Sequence, residues 1–321
     1  MELIKGAKKV MNFHVKPGED VLIVTTTDQE AVIPNALALA VQMAGANEVV
    51  VASILSRSKE KPDVPKSVLE AAKNSDIVFR TSKSSLAYTS ITPMAGKSGG
   101  KLRSISMDIT PEQLKSGGIM ADYNKIRELT LKLCNIENSK QARVITDAGT
   151  DLTFRLGRKC CEFYGIPHGT GMMPWWASAP DGEAMTAPIE DTAEGKLVID
   201  VSLVSCIEAL PSYILAQPIE LEIKKSTIVD IKGGAEAAAL KKVLEKSDEN
   251  SRKLCEFAIG TNPESKIYGR HEDKKRLGTC HFAIGTNEAF GGKIKSGVHV
   301  DLVANNPTII LDGKTIIKKG N

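Results

Sequence analysis

Two eight-residue stretches, CEFAIGTN at 255–262 and CHFAIGTN at 280–287, repeat seven letters and exchange one, Glu256 for His281. A repeat kept for structure alone has no need to swap an acid for an imidazole, and both side chains bind metals. Further on, SGVHVDLVA alternates so that His299 and Asp301 share one face of a strand, with Val298, Val300 and Leu302 on the other. An H-x-D pair on a strand is a two-point metal clamp, although imidazole and carboxylate also pair as a plain hydrogen bond. If the two copies occupy equivalent places in neighbouring strands, all four side chains face one cavity. Two imidazoles and two carboxylates suit Zn, Co, Mn or Fe, whereas Mg or Ca sites normally avoid histidine.

Other residues are open to two readings. Glu183 follows a Pro-Asp-Gly turn in MMPWWASAPDGEAMTAPIED and opens a strand; by its residues alone it reads as an exposed turn carboxylate. Just upstream, His168, Trp175 and Trp176 lie on a Gly/Pro-rich stretch too irregular for strand or helix. Tryptophans there either wall a substrate pocket or cap a core, and His168 is a pocket candidate or a hydrogen-bonded loop residue. His271, in the charged RHEDKKR turn, reads as solvent-exposed. The six cysteines show no CxxC spacing and read as buried thiols; Cys255 and Cys280, each next to a candidate ligand, are expected to point into the core.

The elements that must position these residues change character along the chain. In the first 140 residues GEDVLIVTTTD, NEVVVASI, DIVFRTS and LRSISMD read as strands separated by helical stretches. The continuous apolar runs VLIV and VVVA favour parallel strands covered on both faces, so residues 1–140 are expected to form a doubly wound open α/β sheet. No GxGxxG or GxxxxGKS fingerprint accompanies it, and GKSGG at 96–100 reads as a surface loop. From Ala142 strands and hairpins dominate, with one helix from Ala235 to near Glu256, so residues 141–321 read as a β-rich α+β metal-binding domain.

The chain's 321 residues, 42% apolar and 25% charged, are those of a globular protein with a sizeable core. Forty-two basic residues against 39 acidic ones give +3, and no basic run exceeds short clusters such as Lys274-Lys275-Arg276, so nucleic acid is not an expected partner. The absence of a signal-like start and of 18 uninterrupted apolar residues points to a cytoplasmic protein without a membrane partner.

The ordered motifs PDGEAMTAPIEDTAEG, EFAIGTNP, EDKKRLGTCHFAIGTN and SGVHVDLV, followed by PTIILDGKTI, resemble the leucyl aminopeptidase family that includes aminopeptidase T. The resemblance implies a pair of divalent ions held by two glutamates, two histidines and an aspartate. Carried over motif by motif, these are Glu183, Glu256, His281, His299 and Asp301, with Glu183 a candidate bridge between the ions. It also implies a homodimer and a small peptide or other small-molecule substrate. Where those peptidases carry a tyrosine seven residues after the histidine, this chain has Glu288. The expected function is thus a metal-dependent aminopeptidase-like hydrolase using Zn, Co or Mn, in which metal-activated water attacks an amide and Glu288 moves the proton. Two alternatives stand beside it. The 2,5-dihydroxypyridine dioxygenases resemble the same fold at similar length, and His281, His299 and Asp301 could form an Fe(II) facial triad. A metal-binding protein without enzymatic activity is the other.

Overall fold

The computed structural model describes residues 2–56, 63–83, 86, 89–163, 175–205, 207 and 209–321. They divide into two compact units, one of residues Met1–Tyr123 and Phe163–Asp181, the other of Asn124–Glu162 and Gly182–Asn321. The dividing points differ from 140/141: the Tyr123–Leu133 helix falls almost wholly in the second unit, and 163–181 returns to the first. Among the described residues no helix is long and apolar enough to cross a membrane.

The first unit is a five-stranded sheet in the order Glu48–Ile54, Asp20–Thr26, Ile77–Thr81, Arg103–Ser106, Trp176–Ser178. Every pairing is parallel. The VLIV run explains the layering, because successive side chains leave a strand on opposite faces. Val21 and Ile23 join a core with the Glu2–His14 and Val32–Met43 helices. Leu22 and Val24 join another with the Lys66–Lys73 and Ile91–Lys97 helices. The sheet is therefore wound on both faces, as expected. VVVA differs: it lies on the edge strand Glu48–Ile54, where Val50 and Val51 are exposed instead of covered. Part of GKSGG also differs, since Gly96 and Lys97 close the Ile91–Lys97 helix.

Two seven-stranded sheets make up the second unit, with one apolar core drawing on both. The first runs antiparallel throughout and contains Gln141–Ile145, Asp151–Arg155 and Thr308–Leu311. The second has the order Tyr213–Ile214, Ser202–Ser205, His299–Asn305, Thr279–Gly285, Leu254–Gly260, Glu183–Thr186, Cys161–Phe163. Phe154 joins the two sheets, with its ring 5.0 Å from Phe257 and 5.8 Å from Phe282. The helix expected to run to Glu256 spans only Ala235–Leu244; the chain then makes a short 3-10 turn at Glu249–Arg252, so Glu256 sits inside a strand.

One buried group of the first unit makes folding pH-dependent. His14 is enclosed with its Nδ1 lacking a hydrogen-bond partner. Burial, helped by the Arg103 charge, lowers its pKa from 6.5 to about 3. The unfolded chain therefore takes up this proton first, and stability that is complete above pH 6.5 is lost as pH falls from 6.5 towards 3. The slope is about 1.4 kcal/mol per pH unit. His14→Leu should remove it, so that urea unfolding two pH units below 6.5 costs the parent about 3 kcal/mol more than the variant; parallel losses in both would show that His14 is not the titrating group.

Candidate metal centre

The repeat lies in adjacent antiparallel strands, Leu254–Gly260 and Thr279–Gly285, next to the H-x-D strand His299–Asn305 on one side and Glu183–Thr186 on the other. The register explains the motif letter by letter. Glu183 is paired with Gly260, Glu256 with Ala283, His281 with Ala258, Asp301 with Ala283, and His299 with Gly285. Each candidate ligand thus faces an alanine or glycine on one neighbouring strand, which leaves room for long polar side chains to lean together, while His281 and Asp301 pair with Val303 and Val204 on the other. Phe257, Ile259, Phe282 and Ile284 point the other way into the core. At Gly285 a Cβ would come within 1.9 Å of the Val298 carbonyl oxygen, and its φ of 107° is one only glycine adopts readily. The terminal asparagines pin the return loops: Asn262 exchanges backbone bonds with Lys275 and Leu277, and the Asn287 side chain bonds Cys255 and Ile294.

All five sequence-derived ligands are buried and come together. Their donor atoms form two triples, Glu183–Glu256–His281 and Glu256–His299–Asp301, sharing Glu256. His281 Nε2 lies 2.9 Å from Glu256 Oε1 and 3.4 Å from Glu183 Oε2; His299 Nε2 lies 3.4 Å from the other Glu256 oxygen and 3.6 Å from Asp301 Oδ1. The two histidines named together as a facial triad fall in different triples. Glu183, an exposed turn carboxylate by its residues alone and a ligand by the resemblance, is buried at the head of its strand, and its Oε2 accepts no hydrogen bond from the described residues.

The tautomers decide what the cluster can hold. His281 Nδ1 is 3.1 Å from the Lys274 carbonyl oxygen, and His299 Nδ1 is 3.1 Å from that of Thr286. A carbonyl oxygen only accepts, so each ring donates from Nδ1 and, when neutral, turns the Nε2 lone pair towards carboxylate oxygens. Lone pairs facing carboxylates at this range are satisfied by a metal ion among them or by protons on the Nε2 atoms. Metal–donor bonds of about 2.0–2.2 Å set neighbouring donors roughly 3 to 3.5 Å apart, close to the spacings seen here. Backbone carbonyls behind both imidazoles are the usual support for metal-binding histidines. The residues present fit a divalent transition metal.

Sequence reasoning missed the cations of the site. The short 3-10 turn Asp273–Lys275 brings Lys274 Nζ to 3.1 Å from Asp301 Oδ1 and 3.9 Å from Glu183 Oε2, and Lys275 Nζ to 3.9 Å from Glu183 Oε1. Its loop is folded by its own acids: Asp273 accepts from the backbone of Tyr268 and Gly269, and Glu272 from Lys266. Burial alone would raise the Glu256 and Asp301 carboxyls, but the Lys274 charge draws both down, below the usual carboxylate range. His271, expected in solvent, is partly buried; desolvation and then Lys274 lower its pKa to about 3, which keeps it neutral. A charged run reads as a solvated turn, and only its position seven residues before His281 hinted otherwise.

The remaining candidates lie elsewhere. Glu288 is exposed on the Glu288–Phe290 turn, without the burial that was to tune it as an acid/base. Trp175 packs against the apolar core of the first unit and beside Gly96, and the Trp176 indole donates to Ser106 Oγ at 3.3 Å. His168 and Cys206 lie outside the described residues. The other five cysteines are free and buried. Cys280 and Cys255 are both buried among apolar residues as expected, Cys280 in the main core and Cys255, after a β-bulge following Leu254, with Ala283 and Ile294, its Sγ 3.9 Å from His299 Nδ1.

The 2,5-dihydroxypyridine 5,6-dioxygenase family model matches residues 2–321. The chain belongs to this family. A curated family member, the 2,5-dihydroxypyridine 5,6-dioxygenase of Pseudomonas putida, is 28% identical over 229 residues, covering 68% of this chain and 63% of the relative. The solved 2,5-dihydroxypyridine dioxygenase of Pseudomonas putida KT2440 superposes with a TM-score of 0.80 at 22% identity, over 99% of this chain and 96% of that one. Wild-type AmpT from Thermus thermophilus superposes at 0.67 and 16% identity, over 100% and 98%. The family match overturns the aminopeptidase-like hydrolase expectation. The fold is common to both kinds of protein, and a fold does not by itself name a reaction.

Because Glu256 serves both triples, Glu256→Gln should lower retained metal by at least about tenfold and by more than Glu183→Gln does; metal analysis after anaerobic desalting checks the order. Ala283→Leu, which fills the space between Glu256 and Asp301, should reduce occupancy comparably while leaving every ligand in place. Parent-like occupancy in a folded Ala283→Leu protein would remove the argument that small residues make the site.

Proposed function

We propose that this chain is an Fe(II)-dependent ring-cleaving dioxygenase acting on 2,5-dihydroxypyridine or a closely related hydroxylated aromatic ring. The observation that carries the metal part is the pair of imidazoles whose Nδ1–H groups are fixed on carbonyls and whose Nε2 atoms meet three buried carboxylates. Family membership supports the reaction. When bound, Fe(II) would supply open positions for oxygen and substrate and a route for electrons between them.

The chain's own residues prepare that chemistry. His281 and His299 are oriented by their carbonyl partners, and Glu256 offers one oxygen to each. The small residues of the repeat keep the face open, while Phe257 and Phe282 behind it form part of the core. Lys274 donates to Asp301 Oδ1 and stands 3.9 Å from Glu183 Oε2, so a cation is available to an ionised ring hydroxyl.

Anaerobically Fe(II)-loaded protein, mixed with 2,5-dihydroxypyridine in an oxygen-electrode cell, should consume one dioxygen per ring opened, and zinc-loaded protein should consume none. No oxygen uptake by iron-loaded protein with this ring or its monohydroxy and carboxylated analogues would sink the proposal.

A further inference from the structure

From Val32 to Leu55 the chain has 24 residues and one charge, Glu48, where its overall 25% charged content would place about six. The segment is nevertheless at the surface. It forms the Val32–Met43 helix and the edge strand Glu48–Ile54 of the parallel sheet. Six of the ten large apolar side chains exposed among the described residues belong to it: Val32, Leu39, Met43, Val50, Val51 and Leu55. Their exposure runs from 43% at Val51 to 75% at Leu55. Val32, Leu39 and Met43 follow one another at intervals of seven and four residues, so they form one stripe along the helix, beside the face buried by Ile33, Leu37 and Ala40. A surface helix normally turns charge to the side away from its core, and VIPNALALAVQM has none. The strand beside it lacks the devices that blunt an edge: EVVVASI has no lysine and no proline, and its register with the neighbouring strand runs without a bulge.

These features choose the occupant. No Lys or Arg lies between residues 32 and 55, so nothing there would meet anionic headgroups as a membrane-surface helix does. An open strand edge is completed by another strand, and this one is complementary to itself. Set antiparallel about a two-fold axis at Val51, two copies bring Val51 opposite Val51, Val50 opposite Ala52 and Val49 opposite Ser53. The two Glu48 carboxylates then stand at opposite ends, about 20 Å apart, where salt screens their repulsion. The same axis, perpendicular to the sheet, brings the two uncharged helices together on one face. The strand is about 23 Å long and the helix about 18 Å, dimensions that suit a standard interface of about 800 Å² per partner. We propose that the Glu48–Ile54 edge and the outer stripe of the Val32–Met43 helix bind a second copy of this chain, joining two five-stranded sheets into one continuous sheet. The proposal is independent of the metal centre and of the reaction.

Sedimentation velocity of the full chain should show a dimer with a Kd of about 1 µM or tighter. Raising the concentration through that range should slow amide hydrogen exchange across residues 48–54, as their outward N–H groups gain partners. Val51→Lys sets two like charges face to face at the axis, and Leu39→Lys charges the helix stripe without touching the strand; each should raise Kd at least about tenfold. Val229→Lys, at an exposed apolar position of the second unit, should leave the dimer unchanged. A parent that stays monomeric to about 100 µM, a dimer that survives both charge variants with native circular dichroism, or residues 48–54 that exchange alike at every concentration would each overturn the proposal. Monomeric parent floating with phosphatidylcholine vesicles, and Leu39→Lys not doing so, would overturn it by assigning the face to a lipid surface. Exchange of the unaltered chain remains decisive if a charge variant does not fold.

Discussion

The site depends on the contacts that Glu256 makes with two imidazoles. Glu256 stands between two imidazoles, one on each carboxylate oxygen, and each ring, when neutral, presents its lone pair because its other nitrogen is committed to a backbone carbonyl. Acceptors that face one another at 2.9 and 3.4 Å in a buried volume are tolerable when positive charge lies among them. The surrounding sheet maintains this geometry. Its glycines and alanines let the ligands approach, its aromatic rings anchor the opposite face, and its return loops bring in lysines.

That arrangement separates what the fold supplies from what the chemistry requires. The fold extends to AmpT at low identity, so a wide range of sequences can build these sheets. Within them the H-x-D strand and the paired A-I-G segments place donors at fixed register positions. The Asp273–Lys275 turn adds charge at the same place without adding a ligand.

Much of this was legible in the chain, for identifiable reasons. The period-two pattern of H-V-D and the exchanged letter of the repeat reported the ligand face because strand alternation is strict. VLIV reported a strand covered on both sides; VVVA, equally apolar, did not, because edge position is decided by pairing and not by composition. Trp176–Ser178, the fifth parallel strand, was illegible, since it joins a sheet whose other members end at Ser106 and has too few residues to show a period. Lys274 and Lys275 looked like solvated charges, and their burial depends on carboxylates that are distant in sequence, at 183 and 301. The reaction was misread for a related reason: ligand motifs describe a centre, and both hydrolysis and oxygen chemistry use centres of this kind.

The most direct measurement is a crystal structure of the Fe(II)-loaded protein, grown anaerobically, with diffraction recorded on both sides of the iron absorption edge. The account predicts an iron peak within bonding distance of the Glu256 carboxylate and bounded by imidazole nitrogens from this sheet. Iron bound elsewhere, with the cluster of Glu183, Glu256, His281, His299 and Asp301 holding no ion, would contradict it.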